Sequence, residues 1–399
     1  MQRCFFEDDK AQNFLPLTLT RPVDDLRIGI LTIADKWNNA IGETTPCRIV
    51  RPELTHLFPS ATHDTKRNCL WINSRYFPSQ SLIQKIKNID EGTCIRHKNT
   101  VIAAHVGGTT TAEWIENGKP DFNSLLVLEA PAFSCIENLW DLFLLNGDEI
   151  RADLERLNHP SSGDHSVSPK AILQNRSDIH IGNGAIIEPG VILMADKGPI
   201  YVGKGATIKA GAMIKGPAAI CEHVTVNMGA KIYPDTTIGP VCKVGGEVNN
   251  SIFHSYSNKG HDGFLGNSLI GQWCNLGADT NTSNLKNNYS NIRITDWQSR
   301  DEIETGQQFL GTVMGDHTKT AINTQLNTGT VCGVSCNIFA GDFPPKLIPS
   351  FSWVGSNVIQ PYKIDKAFEA MEAMMARRDV ALTDAYKTLM HHIFENERE

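Results

Sequence analysis

Every sixth residue from 202 to 244 is Val or Ile: Val202, Ile208, Ile214, Ile220, Val226, Ile232, Ile238 and Val244. Glycine often follows, as in Val202-Gly203, Ile238-Gly239 and Val244-Gly245. An α-helix repeats its apolar face at about 3.6 residues and a half-buried strand at about 2, so a strict six belongs to neither. It belongs to a parallel β-helix, in which six residues form one flat side of a triangular coil and the β-branched residue points inward. Residues three units apart, such as Ile208, Val226 and Val244, then stack in one column.

The same phase links Ile181, Ile187 and Leu193. It slips at Ala195-Asp196-Lys197-Gly198-Pro199, which predicts a bulged corner. The sixes become ragged between Gly245 and Phe264 and resume at Ile270-Gly271 and Leu276-Gly277. A polar, Asn-rich excursion over 281–310 precedes Met314-Gly315, Thr320, Leu326, Cys332 and Ile338, which restore the repeat. Asp342-Phe343-Pro344-Pro345 breaks it again. Two helices are predicted after it, one from an Asp365 N-cap to Arg378 and one from Thr383 to Phe394, placed to cover the open coil end.

Residues before the coil alternate predicted strands and helices, the pattern of an α/β layered domain. Cys4-Phe5-Phe6, Leu70-Trp71-Ile72-Asn73, Thr100–Ala104 and Leu125–Leu128 read as strands. Apolar spacing predicts helices over Val23–Ile33, Ser81–Lys87 and Ile136–Leu157, and the two prolines of Leu15–Pro22 predict a loop. The breaker-rich stretch Asn158–His165 marks the boundary. The expected division is 1–160 for the α/β domain, 170–355 for the coil, with its strands starting near Ile179, and 362–399 for the helices.

A chain of 399 residues can hold two or three cores of this kind. Its formal charge of −7 argues against nucleic acid or an anionic membrane as the main partner. No apolar run approaches the roughly eighteen residues of a transmembrane helix. The start turns acidic at Glu7-Asp8-Asp9, unlike a signal peptide. Ten cysteines without paired spacing read as reduced thiols in a cytoplasmic protein.

Two stretches could carry chemistry. Near the start, where a glycine-rich phosphate loop is missing, Arg21, Arg27 and Lys36 form a short cationic segment. Forked guanidinium donors suit phosphate oxygens, although surface cations are common. In the coil, His261-Asp262-Gly263-Phe264-Leu265-Gly266 precedes Asn275-Leu276-Gly277-Ala278 and Asn281 to Asn284. A neutral His beside several amides suits a general base with substrate-orienting groups, and Asn also suits tight left-handed corners.

The run Asn258-Lys259-Gly260-His261, Phe264-Leu265-Gly266, Ile270-Gly271, Asn275–Ala278 and Asn284 resembles the acetyltransferase site of the bifunctional N-acetylglucosamine-1-phosphate uridyltransferase/glucosamine-1-phosphate acetyltransferase family. Gly315-Asp316, Thr324-Gln325-Leu326 and Ala340-Gly341 stay in register with it, so the resemblance covers about 180–355. It implies a left-handed parallel β-helix, a homotrimer and acetyl-CoA as cofactor. It implies His261 as the base that deprotonates the sugar amine, Phe264 in place of a substrate-contacting Tyr, and Asn275 and Asn284 as substrate amides. Ala278, Ile322 and Ala340 stand where the family lines its acetyl-CoA groove. The family's phosphate-binding Arg falls near Lys231 or Tyr233 and its Lys at Asn249, with Lys243, Lys259 and Lys286 as other candidates.

The opening, Leu15–Pro22 with Leu26-Arg27-Ile28-Gly29, is similar to a divergent form of the same family's Rossmann-like nucleotidyltransferase domain. That resemblance implies UTP or another NTP as substrate and Asn146 as a ligand of a catalytic Mg²⁺, with Asn73 where its Asp partner would stand. The expected activity is acetylation of an amino-sugar phosphate, glucosamine-1-phosphate in the family, with uridyl transfer to give UDP-N-acetylglucosamine. Alternatives are an acetyltransferase alone, a sugar-nucleotide-binding scaffold, and a zinc carbonic anhydrase-type coil using His223, His254, His261 and His317.

Overall fold

The computed structural model describes residues 2–42, 47–60, 65–158, 163–356 and 358–396. They form two compact units. The first comprises Met1–Phe14, Thr20–Leu26 and Leu31–Leu139, and the second Leu15–Leu19, Arg27–Ile30 and Trp140–Glu399. The division thus falls before the expected boundary at 160, and two short N-terminal segments join the second unit. Of the linker Asn158–His165, residues 159–162 lie outside the described residues.

The second unit is the parallel β-helix. All eight residues of the six-residue run are buried. Ile208 pairs with Val226 and Val226 with Val244, so the predicted column exists. Each such inward Val or Ile removes apolar surface worth about 1.5–3 kcal/mol from water. One face is a nine-stranded sheet running from Ile179–Ile181 to Leu347–Ile348, and two six-stranded sheets begin the other faces. The coil starts earlier than expected, since Ser166-Val167 already pairs with Ile186-Ile187. Beyond the double proline, Ser352–Val354 still pairs with Asn337-Ile338.

The ragged stretch has a simple cause. Val244 pairs with Lys259, Val248 with Leu265 and Phe253 with Ile270, so these turns are shorter than the regular ones. The excursion over 281–310 contains an antiparallel hairpin, Arg293–Thr295 against Glu302–Glu304.

One corner of the coil carries Tyr256, Trp273, His317, Ser335 and Phe351 in left-handed conformation. Glycine or Asn usually takes such positions, so the bulk here has another use. Tyr256 stacks on Trp273 at 4.2 Å. His317 and Phe351 in turn receive Tyr386 and Phe394 of the last helix, at 5.8 and 5.3 Å. The last helix, Asp384–Asn396, therefore lies along this corner, and the helix before it, Ile364–Ala376, meets it through Phe368 and His391 at 5.0 Å. The N-cap of the earlier helix is Lys363, and Asp365 stands within its first turn.

The helix expected over Val23–Ile33 does not form. A short 3-10 turn, Val23–Asp25, and two-residue strands replace it, and the helix begins at Ile33. Backbone groups that a helix would use are taken by the coil unit. Asn146 Oδ1 accepts from Gly29 N at 2.7 Å, Asp153 Oδ2 from Ile30 N at 2.9 Å, and Thr237 Oγ1 donates to Gly29 O at 2.9 Å. The helix expected over Ile136–Leu157 is two shorter ones, Asp141–Leu144 and Asn146–Arg156.

The first unit is a mixed six-stranded sheet in the order Cys47–Ile49, Gln2–Phe6, Cys69–Asn73, Thr100–Val106, Thr93–His97, Leu126–Glu129. Helices Ile33–Ile41, Gln80–Lys87 and Gly108–Glu116 accompany it. Its core joins Cys4, Phe6, Trp71 and Trp114, the two indoles meeting at 5.4 Å.

Candidate active site

The chain turns a corner between strand Asn258-Lys259 and strand Phe264–Gly266, and His261 stands on that corner with its side chain exposed. Backbone contacts hold the corner. Asn227 Nδ2 donates to Gly260 O at 2.7 Å, and Lys209 Nζ donates to Asn227 Oδ1 at 3.2 Å. From inside the coil, Lys259 Nζ donates to His261 O at 3.0 Å and to Gly245 O at 3.3 Å.

Lys259 is 1% exposed and occupies the inward column below Val244. An ammonium is costly there, and burial pushes it down to about 8, against the opposing pull of Asp262 and Asp279. It is a buried prop of the corner rather than the surface contact for substrate read from the sequence. An unfolded Lys titrates near 10.5, so between about 8 and 10.5 the unfolded chain binds more protons. Stability should therefore rise with pH across that window, by about 3 kcal/mol from this group. Urea unfolding at several pH values should show the rise, and Lys259→Met should flatten it. An unchanged slope in the variant would remove Lys259 as its source.

A cavity of about 790 Å³ opens beside His261. Its lining brings together four further residues named from sequence, Lys243, Asn275, Ala278 and Ile322, with Tyr256 and Trp273 of the aromatic corner. The first terminal helix and the residues after it add Ala373, Met374, Arg377 and Arg378. Ile322 is 69% exposed and gives the cavity an apolar wall. Ala340 is buried and is not part of this lining. The last two arginines were invisible as site residues because only the helix docking carries them there.

Phe264, Asn284 and Lys231 belong to the adjacent face. Lys231 pairs with Glu247, and Glu247 with Phe264, in one outward row. Asn281 Oδ1 accepts from Phe264 N at 2.8 Å, and Asn284 Nδ2 donates to Asn267 Oδ1 at 2.8 Å. His261 thus stands between a cavity on one side and this polar face on the other.

The N-terminal candidates are divided between the two units. Arg21 and Lys36 belong to the first unit and are buried. Arg21 Nη1 lies 3.4 Å from Asp25 Oδ2, and the Lys36 ammonium lies over the Phe77 ring. Arg27 belongs to the second unit, where its Nε donates to His254 O at 3.1 Å and its Nη1 to Ile30 O. That corrects its expected place on a nucleotide phosphate, since its donors serve coil carbonyls.

Asn146 is corrected likewise. Its Oδ1 accepts from Gly29 N and from Thr237 Oγ1 at 3.1 Å, and its Nδ2 donates to Asp235 O at 2.8 Å. Both lone pairs are engaged, so the group does not fit a Mg²⁺ ligand. Asn73 donates to Asp8 at 2.8 Å and to Val101 O at 3.0 Å, while Asp8 is also clamped by Arg75 Nε at 2.8 Å. Burial alone would raise the Asp8 carboxyl, but the Arg75 and Asn73 contacts together outweigh it and hold the group below its usual range. Among the described residues no group of three His, Cys, Asp or Glu could hold a metal ion.

The zinc reading fails for the same reason. His317 is buried with Nε2 3.1 Å from the Tyr386 hydroxyl, and His254 Nδ1 lies 3.3 Å from Ser255 Oγ. His223 stands on the corner that also bears His317, away from His261. No helix among the described residues is long and apolar enough to cross a membrane.

Residues 3–161 match the family model described as "Sugar nucleotidyl transferase". Two curated relatives each bear the name Bifunctional protein GlmU. The one from Methanocaldococcus jannaschii is 32% identical over 108 residues, covering 27% of this chain and 26% of its own length. The one from Methanococcus aeolicus is 28% identical over 139 residues, covering 34% of this chain and 29% of its own. The chain therefore spans less than a third of the length of these relatives. A crystal structure of a UDP-N-acetylglucosamine acyltransferase aligns with 59% of this chain and 90% of its own, at 13% identity and a TM-score of 0.35.

A domain that matches the sugar nucleotidyl transferase model is thus joined in one chain to a parallel β-helix. Over about a third of its length the chain is similar to the two proteins named Bifunctional protein GlmU.

Proposed function

We propose that the protein transfers an acetyl group from acetyl-CoA to the amine of an amino-sugar phosphate, glucosamine-1-phosphate in the first instance. One observation carries this reading: His261 stands at an exposed corner between a cavity of about 790 Å³ and a polar face that holds Phe264 and Asn284. An ammonium cannot attack a thioester. In this reading His261 takes the proton from the sugar nitrogen, the nitrogen bonds to the thioester carbonyl, and the carbon–sulfur bond breaks to release CoA. Asn275, in the cavity, orients the sugar. Asn275→Ala should raise KM for the amino sugar about tenfold, by loss of a hydrogen bond worth about 1.5 kcal/mol, with KM for acetyl-CoA unmoved.

A homotrimer belongs to the same proposal, as does a cytoplasmic location. The deciding experiment is thiol release from acetyl-CoA by the purified protein across a panel of amino-sugar phosphates. No release with any of them would end the acetyltransferase reading.

Uridyl transfer by the 3–161 domain completes this first reading. A second reading keeps the acetyl transfer and gives that domain sugar-nucleotide binding alone. The engagement of both expected cation ligands favours it, since Asn73 is taken up by Asp8 and Val101 O and Asn146 by Gly29 N, Thr237 Oγ1 and Asp235 O. Pyrophosphate release from UTP and a sugar phosphate, with Mg²⁺ in excess, separates the two: release supports the first, and nucleotide binding without release supports the second.

A further inference from the structure

The inward column that holds Ile208, Val226 and Val244 continues into Lys259, and the bridge between Asn258 and Asn275 sets Leu276 on its far side. Its neighbours above and below, Val244 and Leu276, are aliphatic and buried. The regular run keeps Val or Ile at every such position, and the charge enters two residues before His261. An ammonium there gives up its hydration, a cost that another Val or Leu would avoid. The contacts that offset this cost all lie at the corner. Nζ donates to Gly245 O in one coil and to His261 O in the next, at 3.3 and 3.0 Å. Lys259 O accepts from Gly245 N at 2.7 Å, so the same two coils are tied twice. One of the two carbonyls that Nζ holds belongs to the proposed base itself. Four other charged groups surround the corner. Asp262 stands on it and Asp279 on the next turn, and both favour the ammonium. Lys209 reaches it through Asn227, and Arg378 reaches its strand through Asn258.

We infer that Lys259 is a positioning residue for the proton transfer: its ammonium, donating from inside the coil to His261 O and Gly245 O, fixes the corner from which the imidazole reaches the substrate, and turnover falls when that ammonium loses its proton. This rests on the acetyl-transfer reading above. A hydrogen bond from a charged donor is roughly twice as strong as a neutral one, so the amine left after deprotonation holds the corner more loosely without releasing it. A general base feels such loosening directly, because it works only within hydrogen-bond reach of the proton it takes. The loss of activity also runs against stability. Deprotonation relieves the buried charge, so the protein becomes steadier above about pH 8 as it becomes slower. A lysine that served the fold alone would give no reason for the two to part.

The test is the pH profile of kcat for thiol release from acetyl-CoA by the full chain, with the best amino-sugar phosphate as acceptor. In the wild type, kcat should fall about tenfold through about pH 8 to a lower plateau, with KM for both substrates nearly unchanged. Lys259→Met keeps the length of the side chain and drops the charge. It should fold, turn over about tenfold more slowly at neutral pH, and show no alkaline limb. Lys243→Met removes the other lowered ammonium near His261 and should keep the limb. A wild-type kcat that stays level through pH 8 overturns the inference alone. So does a limb that survives in Lys259→Met or disappears in Lys243→Met. If Lys259→Met fails to fold, the wild-type profile and Lys243→Met still decide the matter. No thiol release by the wild type at any pH is a different failure: it ends the acetyl-transfer reading and takes this inference with it.

Discussion

Replacing His261 with Ala should lower kcat for acetylation of the best amino-sugar phosphate by about 10²–10⁴-fold, the usual cost of losing a positioned base. KM for acetyl-CoA should stay nearly unchanged, because the proton transfer belongs to the transition state and not to donor binding. The variant should also fold. The corner at 260–263 is held by Asn227 on Gly260 O and by Lys259 on His261 O, both through backbone atoms that Ala retains. The imidazole itself is exposed, so little apolar surface is lost with it. Steady-state kinetics with both substrates varied, beside a thermal melt, checks this. Near-wild-type turnover in a well-folded variant would remove His261 from the chemistry.

The coil was legible because its physics is local. A six-residue period with β-branched residues requires neither partner nor ligand to be recognised, and Ile208, Val226 and Val244 stack as the spacing demands. His261, Asn275, Ala278 and Ile322 were legible because they follow one another along that same coil, which brings them to one cavity. Where the sequence misled, a distant segment took over. Val23–Ile33 has helical spacing, but Asn146, Asp153 and Thr237 claim the backbone of Gly29 and Ile30 from more than a hundred residues away. Arg27 looked like a phosphate ligand for want of any sign that His254 O would take its Nε.

Arg377 and Arg378 show the opposite failure. Their signal was a pair of cations after a predicted helix, indistinguishable from a solvated helix end. They line the cavity beside helices whose last member docks Tyr386 and Phe394 onto His317 and Phe351, and no local pattern reveals that a bulky left-handed corner is waiting for a helix. Lys259 was misread for a related reason. Its place in the inward column depends on the shortened turn between Val244 and Lys259, which breaks the six-residue count where it matters.

Val226→Asp should prevent the protein from accumulating in soluble form. Val226 is 0% exposed and stands between Ile208 and Val244 in the inward column. An aspartate there meets aliphatic neighbours above and below, and an unpaired buried carboxylate costs several kcal/mol even after it takes up a proton. A domain's whole stability is only about 5–15 kcal/mol. In a coil each turn is supported mainly by its neighbours, so the loss also strips pairing from Thr207-Ile208 and Lys243-Val244. The adjacent residue gives the control. Thr225 pairs on the same strand but points outward, beside Lys243. Thr225→Asp adds the same charge one residue away and should express and melt close to wild type. Soluble yield and melting temperature of the two variants together decide the matter. Equal behaviour of Val226→Asp and Thr225→Asp would mean that the column does not carry the fold, whereas loss confined to Val226→Asp would locate the stability in the stacked interior.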